Sequence, residues 1–156
     1  MNNAQQIIEE LHLLPHPEGG WFKEEYRSEQ QIEHNGSSRG ALTTIFFLLE
    51  ENQLSRWHEV DADEVWHFYE GDTLELLVAP PDFSRVDRIL LNDITQNEKP
   101  VFVVPAGWWQ AARTTGKFSL VGCTVAPAFQ FSGFRFLREE EKVKMNTQNP
   151  GFEEFC

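Results

Sequence analysis

The chain has 156 residues and carries 25 acidic against 13 basic side chains, a formal net charge of -12. That balance repels phosphate backbones and anionic lipid, and no Lys/Arg cluster offsets it, so nucleic acid and membrane surfaces are excluded as expected partners. With 40% hydrophobic residues, including 13 Phe and 5 Trp, the length is sufficient for one domain with a real core.

Ile7, Ile8, Leu11 and Leu14 recur at helical spacing, with Asn2 or Asn3 as the cap and Pro15 as the stop, which predicts one short amphipathic helix. The first residues lack a basic stretch followed by an apolar core, and no run is long and apolar enough to span a bilayer. Two cysteines, Cys123 in a strand-like run and Cys156 at the end, do not make a disulfide framework. The expectation is a protein of the reducing cytoplasm.

From Trp21 onward, short runs rich in Phe, Val, Ile, Leu, Trp and Thr alternate with Gly, Pro, Asn and Asp clusters. They predict strands near 21–28, 41–50, 54–60, 64–70, 73–79, 85–91, 100–104, 108–113, 117–126 and 129–136, an all-β sandwich or barrel. Asn35-Gly36-Ser37-Ser38 reads as a loop. Residues 1–137 are read as one domain and 138–156 as a polar extension, a solvated helix or loose tail. Its two phenylalanines, Phe152 and Phe155, either dock on a neighbouring subunit or fray.

The stretch from Ser55 to Gly71, S-R-W-H-E-V-D-A-D-E-V-W-H-F-Y-E-G, concentrates the site chemistry. Alternation puts His58 and Val60 on one strand face and makes Asp61-Ala62-Asp63 the turn of a hairpin. Glu64, Trp66 and Phe68 then share a face on the next strand, so His58 and Glu64 meet if both faces look inward. An imidazole there is a general base, a metal ligand or a hydrogen-bonded core histidine, and a buried carboxylate beside it needs a partner in His58, Arg56, an ion or water. Gln110 can donate and accept hydrogen bonds at once, and either orients a substrate or satisfies a neighbouring backbone group.

Trp57, Trp66, Trp108 and Trp109 supply either an aromatic wall for a ring or core filling. His67 falls on the opposite face from Glu64. Cys123 reads as a small buried hydrophobe rather than a nucleophile. His16 and Glu18, in the turn P-H-P-E-G-G, either cover a barrel mouth or simply form the turn.

The stretch also resembles the first motif of the cupin superfamily, G-x5-H-x-H-x3,4-E-x6-G, whose two His and Glu usually hold a divalent metal. Pro105-Ala106-Gly107-Trp108-Trp109-Gln110 is similar to the second motif, P-x-G-x2-H. Val60 and Gln110 stand where two of the usual ligand histidines would be.

The segments at 11–28, 63–71 (D-E-V-W-H-F-Y-E-G), 103–112 (V-V-P-A-G-W-W-Q-A-A) and 120–127 resemble a cupin family labelled predicted sugar epimerases. The resemblance implies a double-stranded β-helix, a jelly-roll cupin barrel, with a short N-terminal helix and a homodimeric state. In nucleotide-sugar epimerases the base is a His that corresponds to His58, no metal is needed, and the acid is a late Tyr. Here the tyrosines are Tyr26 and Tyr69, both before Gln110.

Three readings follow. One is a metal-independent enzyme acting on a sugar or nucleotide sugar, with His58, Glu64 and Gln110 as catalytic residues. Arg56, Trp66, Phe68 and Trp108 would bind its substrate. The second is a metal-dependent cupin enzyme, a dioxygenase or isomerase, holding a divalent metal through His58, Glu64 and Gln110. The third is a non-catalytic module that binds a small-molecule ligand.

Overall fold

The β-branched and aromatic runs pair into two antiparallel sheets whose inner faces close on each other. The computed structural model describes residues 3–156. Among these residues, the first sheet has the order β1 (Leu14–Pro15), β2 (Trp21–Arg27), β5 (Thr43–Glu50), β12 (Phe118–Ala126), β7 (Asp63–Gly71) and β10 (Val101–Val104). The second runs β13 (Phe134–Phe136), β6 (Ser55–Val60), β11 (Trp109–Thr114), β8 (Leu74–Ala79) and β9 (Asp87–Leu91). A separate hairpin joins β3 (Gln31–His34) to β4 (Ser37–Gly40). The fold is the jelly-roll double-stranded β-helix, mostly strand, with an N-terminal helix.

That helix, α1 (Asn3–Leu11), covers the outer face of the first sheet, where Ala4, Ile8 and Leu13 pack with Leu48, Phe118 and Leu120. The alternative cap Asn2 lies outside the described residues. Between the sheets the core is aliphatic and aromatic: Phe47, Leu49, Trp66, Leu74, Leu76, Val78 and Val121 are all buried. Each such side chain contributes about 1.5–3 kcal/mol by leaving water.

Three readings of the sequence need correction. His58 and Glu64 do not flank a hairpin, because β6 pairs with β11 and β13 while β7 pairs with β12 and β10. The short Asp61-Ala62 connection carries the chain from one sheet to the other, as a sandwich requires when both strands bury an inner face. Asn35-Gly36 is a tight hairpin turn with both residues at positive φ (51° and 80°), the geometry that Asn-Gly favours between twisted strands.

The last correction concerns Phe155 in the polar extension, which neither frays nor is left exposed for a neighbouring subunit, while the helix agrees with one of the two expected forms. The extension forms α2 (Glu139–Gln148), and Met145 and Phe155 are buried in their own chain against Trp57, Leu77 and Trp109. These apolar side chains cover the outer face of the second sheet, which the strand pattern leaves hydrophobic at every second position. Arg135 reinforces the cover, bonding Glu59 on β6 and Glu141 on α2 while its guanidinium lies 4.7 Å from the Trp109 ring centroid.

Candidate functional site

One end of the space between the sheets is a cavity of about 150 Å³ rather than packed core. Thr43 and Ile45 of β5, Glu64 of β7, Cys123 and Val125 of β12 and His58 and Val60 of β6 line it. The loop before β2 adds His16 and Glu18, and β2 adds Phe22. Phe129, Phe131 and Phe134 close the mouth, their rings in edge contact at 5.1–6.5 Å.

His58 is buried, with its side chain 4% exposed. Its Nδ1 lies 2.7 Å from the Arg56 carbonyl oxygen, which can only accept, so Nδ1 carries the proton and the free lone pair is on Nε2. Burial lowers its pKa below the ordinary value, against the opposing pull of Glu64, and the imidazole stays neutral.

Glu64 sits opposite Val125 on β12, and burial raises its pKa, with His58 opposing. Gln110, directly across from His58 in the β6–β11 pairing, donates from Nε2 to Glu64 Oε1 at 2.9 Å. Its own Oε1 accepts the Trp66 indole N–H at 2.7 Å. The indole can only donate, which fixes which end of the amide faces Glu64.

Glu18 is placed by the turn P-H-P-E-G-G. Gly19 and Gly20 have φ of 105° and 81°, and a Cβ on either would collide with the Leu54 or Leu48 carbonyl, so only glycine lets the turn lie this close to the sheet. The Glu18 backbone N–H donates to His16 Nδ1 at 3.1 Å, leaving the neutral His16 with its proton on Nε2. Burial, helped by His58, lowers the His16 pKa to about 4. Burial pushes the Glu18 pKa up to about 8. Its Oε2 is 3.5 Å from His58 Nδ1 and has no hydrogen-bond partner among the described residues.

The structure therefore brings His58 and Glu64 together and adds Glu18 and His16. It places the other expected site residues elsewhere. Gln110 lies behind Glu64, holding it, and does not line the cavity. Arg56 is exposed and contributes its carbonyl rather than its guanidinium. Trp66 and Phe68 share the inner face with Glu64 but belong to the filled core, and Trp108 packs at the core edge under Arg85. The aromatic wall comes instead from Phe129, Phe131 and Phe134, whose signal was the spacing in F-Q-F-S-G-F.

The expected metal set does not fit. The Gln110 oxygen is committed to Trp66 and its nitrogen faces Glu64, which leaves His58 and Glu64 where a zinc-like ion takes three or four ligands. Among the described residues no group of three or more His, Cys, Asp or Glu has a metal-holding arrangement. Cys123, its thiol pKa raised by burial, packs beside Glu64.

Two closed sheets with a titratable cavity at one end define a double-stranded β-helix protein with a built interior site. The chain belongs to the cupin superfamily: the Cupin_5 family, described as Cupin superfamily (DUF985), matches residues 5–137. It is similar to a hypothetical protein of Leishmania major, at TM-score 0.90 and 27% identity over 98% of both chains. A Shewanella oneidensis protein superposes at TM-score 0.87 with 32% identity, over 99% of this chain and 97% of that one. An uncharacterised protein of Saccharomyces cerevisiae is 27% identical over 92% of this chain and 79% of its own length.

Proposed function

We propose that the cavity carries out metal-independent acid–base chemistry, an isomerisation or epimerisation next to a carbonyl of a small sugar. The observation that supports it best is the fixed state of His58: a neutral imidazole lining the cavity, with Nδ1 tied to the Arg56 carbonyl and the lone pair left on Nε2. His58 takes the proton from the carbon next to the carbonyl. The electron pair moves onto the carbonyl oxygen, where protonated Glu64 supplies the proton that makes the enediol neutral. His58 returns its proton to carbon while Glu64 recovers a proton from an enediol hydroxyl as the carbonyl re-forms. Return to the neighbouring carbon isomerises the sugar, and return to the same carbon epimerises it once the enediol has turned its other face to His58, with no net oxidation and no co-reactant.

Gln110 acts as a positioning residue, holding Glu64 through the Trp66–Gln110–Glu64 chain of hydrogen bonds. Tyr26 and Tyr69 are exposed and do not line the cavity, so a carboxyl replaces the tyrosine acid of the epimerases in this reading. A homodimer belongs to the same proposal. Val101, Val103 and Tyr69, exposed on the outer face of the first sheet, give it an apolar surface, and sedimentation velocity measures it.

The test is exchange at carbon. Wild-type protein incubated with a panel of aldoses and ketoses in D2O is expected to place deuterium next to the carbonyl, read by mass spectrometry. His58→Gln is expected to slow that exchange by at least about 100-fold. Equal exchange in wild type and variant would overturn the assignment, and sugar binding without exchange would favour the binding-module reading.

A further inference from the structure

The proposed reaction uses His58 and Glu64 and leaves one buried carboxyl of the cavity without a task. Glu18 has a side chain only 9% exposed, yet its Oε2 has no hydrogen-bond partner among the described residues, and its Oε1 receives a 3.4 Å contact from Ser55 Oγ. A carboxyl in that state is costly unless a partner arrives.

The neighbouring groups do not supply one. His58 commits its Nδ1–H to the Arg56 carbonyl, and His16 Nδ1, 3.8 Å from Glu18, already accepts the Glu18 backbone N–H. Glu64 is another carboxyl. The guanidinium of Arg27 lies at the cavity rim, bound to Glu24 at 2.7 Å and to the Phe129 carbonyl at 3.1 Å.

We infer that the ligand brings the missing partner: a basic amine carried on a single small ring, which binds as the ammonium while Glu18 gives up its proton and becomes the counterion. Three further observations agree with this class. Phe22, Phe129, Phe131 and Phe134 line the same cavity, and aromatic faces attract an ammonium group. A cavity of about 150 Å³ is the size that encloses one six-membered ring. A chain of net charge -12 draws cations and repels phosphorylated ligands. An amino sugar satisfies both this inference and the proposed reaction, although the inference rests only on the cavity being the ligand site.

Calorimetric titration with two matched pairs tests it: cyclohexylamine against cyclohexanol, and glucosamine against glucose. Each amine is expected to bind at least about tenfold more tightly than its hydroxyl partner, the effect of one charge-assisted contact. Glu18→Gln keeps the shape but cannot ionise, and it should erase the preference. Phe131→Ala removes a ring that is 66% exposed, so the fold should persist while amine affinity falls.

Equal or tighter binding of the hydroxyl partners, no binding of either amine, or a preference that survives Glu18→Gln would each overturn the inference. Deuterium exchange on a neutral sugar together with no amine preference would leave the proposed reaction standing and overturn the amine alone. Amine preference without exchange would do the reverse.

Discussion

The two ends of the barrel interior are built by the same strand faces and serve opposite ends. Along β5 the inward positions run Thr43, Ile45, Phe47, Leu49; along β7, Glu64, Trp66, Phe68; along β12, Val125, Cys123, Val121. The first members of each series line the cavity and the last fill the core. The β5–β12 and β7–β12 registers run unbroken along these rows, so on these strands side-chain size and polarity distinguish the site from the close-packed core, and the loops carrying Glu18 and Phe131 complete it. Gln110 sits at the border, its amide joining Trp66 of the core to Glu64 of the cavity.

If the contrast is sound, pH acts on one end and not the other, and this should be the largest effect. Glu18 has an ordinary pKa of 4.5 and a folded value of about 8, so the folded state holds more protons between these limits. Its contribution is therefore fully present below pH 4.5 and is lost as pH rises toward 8, on the order of 5 kcal/mol. His16 runs the other way: its folded pKa of about 4 lies below 6.5, so stability falls as pH drops through that window. The two trends offset each other where they overlap, so chemical denaturation across pH 4–9 should show a plateau between about pH 4.5 and 6.5 with losses on either side, and Glu18→Gln should flatten the alkaline side. An unchanged alkaline slope in the variant would assign that loss elsewhere.

Comparable in size is Leu76→Ala in the filled end, expected to cost about 2–5 kcal/mol through the void it leaves. Ligand affinity should survive, because Leu76 does not line the cavity. A loss of binding equal to the loss of stability would mean that the two ends act as one unit.

Gln110→Ala tests the border. It strands the Trp66 indole N–H and one oxygen of Glu64, at a cost of about 1–3 kcal/mol. The variant should also slow carbon exchange more than it weakens ligand binding, since Glu64 loses its orientation. Conservative Gln110→Glu, protonated, should restore part of the rate.

The smallest effect is expected from Val125→Ala, which enlarges an existing cavity and should cost less than about 1 kcal/mol. A cost matching that of Leu76→Ala would show the cavity end to be packed as tightly as the core.

Much of the architecture was legible because strand alternation is a local signal. Ten predicted strands correspond in position to ten observed ones, although the last is shortened to β13, with a 3-10 turn at Phe131–Gly133 ahead of it. The β3–β4 hairpin lies outside the expected strands although Asn35-Gly36 advertises it, whereas α2 agrees with the solvated helix that the mixed charges predict, only Met145 of its ten residues being buried. At the site, His58 and Glu64 could be found from their spacing. Gln110 could be found too, though not as a support standing behind Glu64.

Glu18 and the phenylalanine wall were less visible, since a turn and a late loop reach the cavity only after the sheets close. The sequence by itself determined the strand faces, the helix and the glycine turn, which follow from periodicity and backbone permissiveness within short windows, while its motifs carry the cupin resemblance. Only the tertiary structure decided that β6 and β7 belong to different sheets, that the Gln110 amide is spent on Trp66 and Glu64, and that Glu18 lies buried without a partner. Those facts depend on contacts between residues about 40 positions apart or more, whose distances no local pattern encodes.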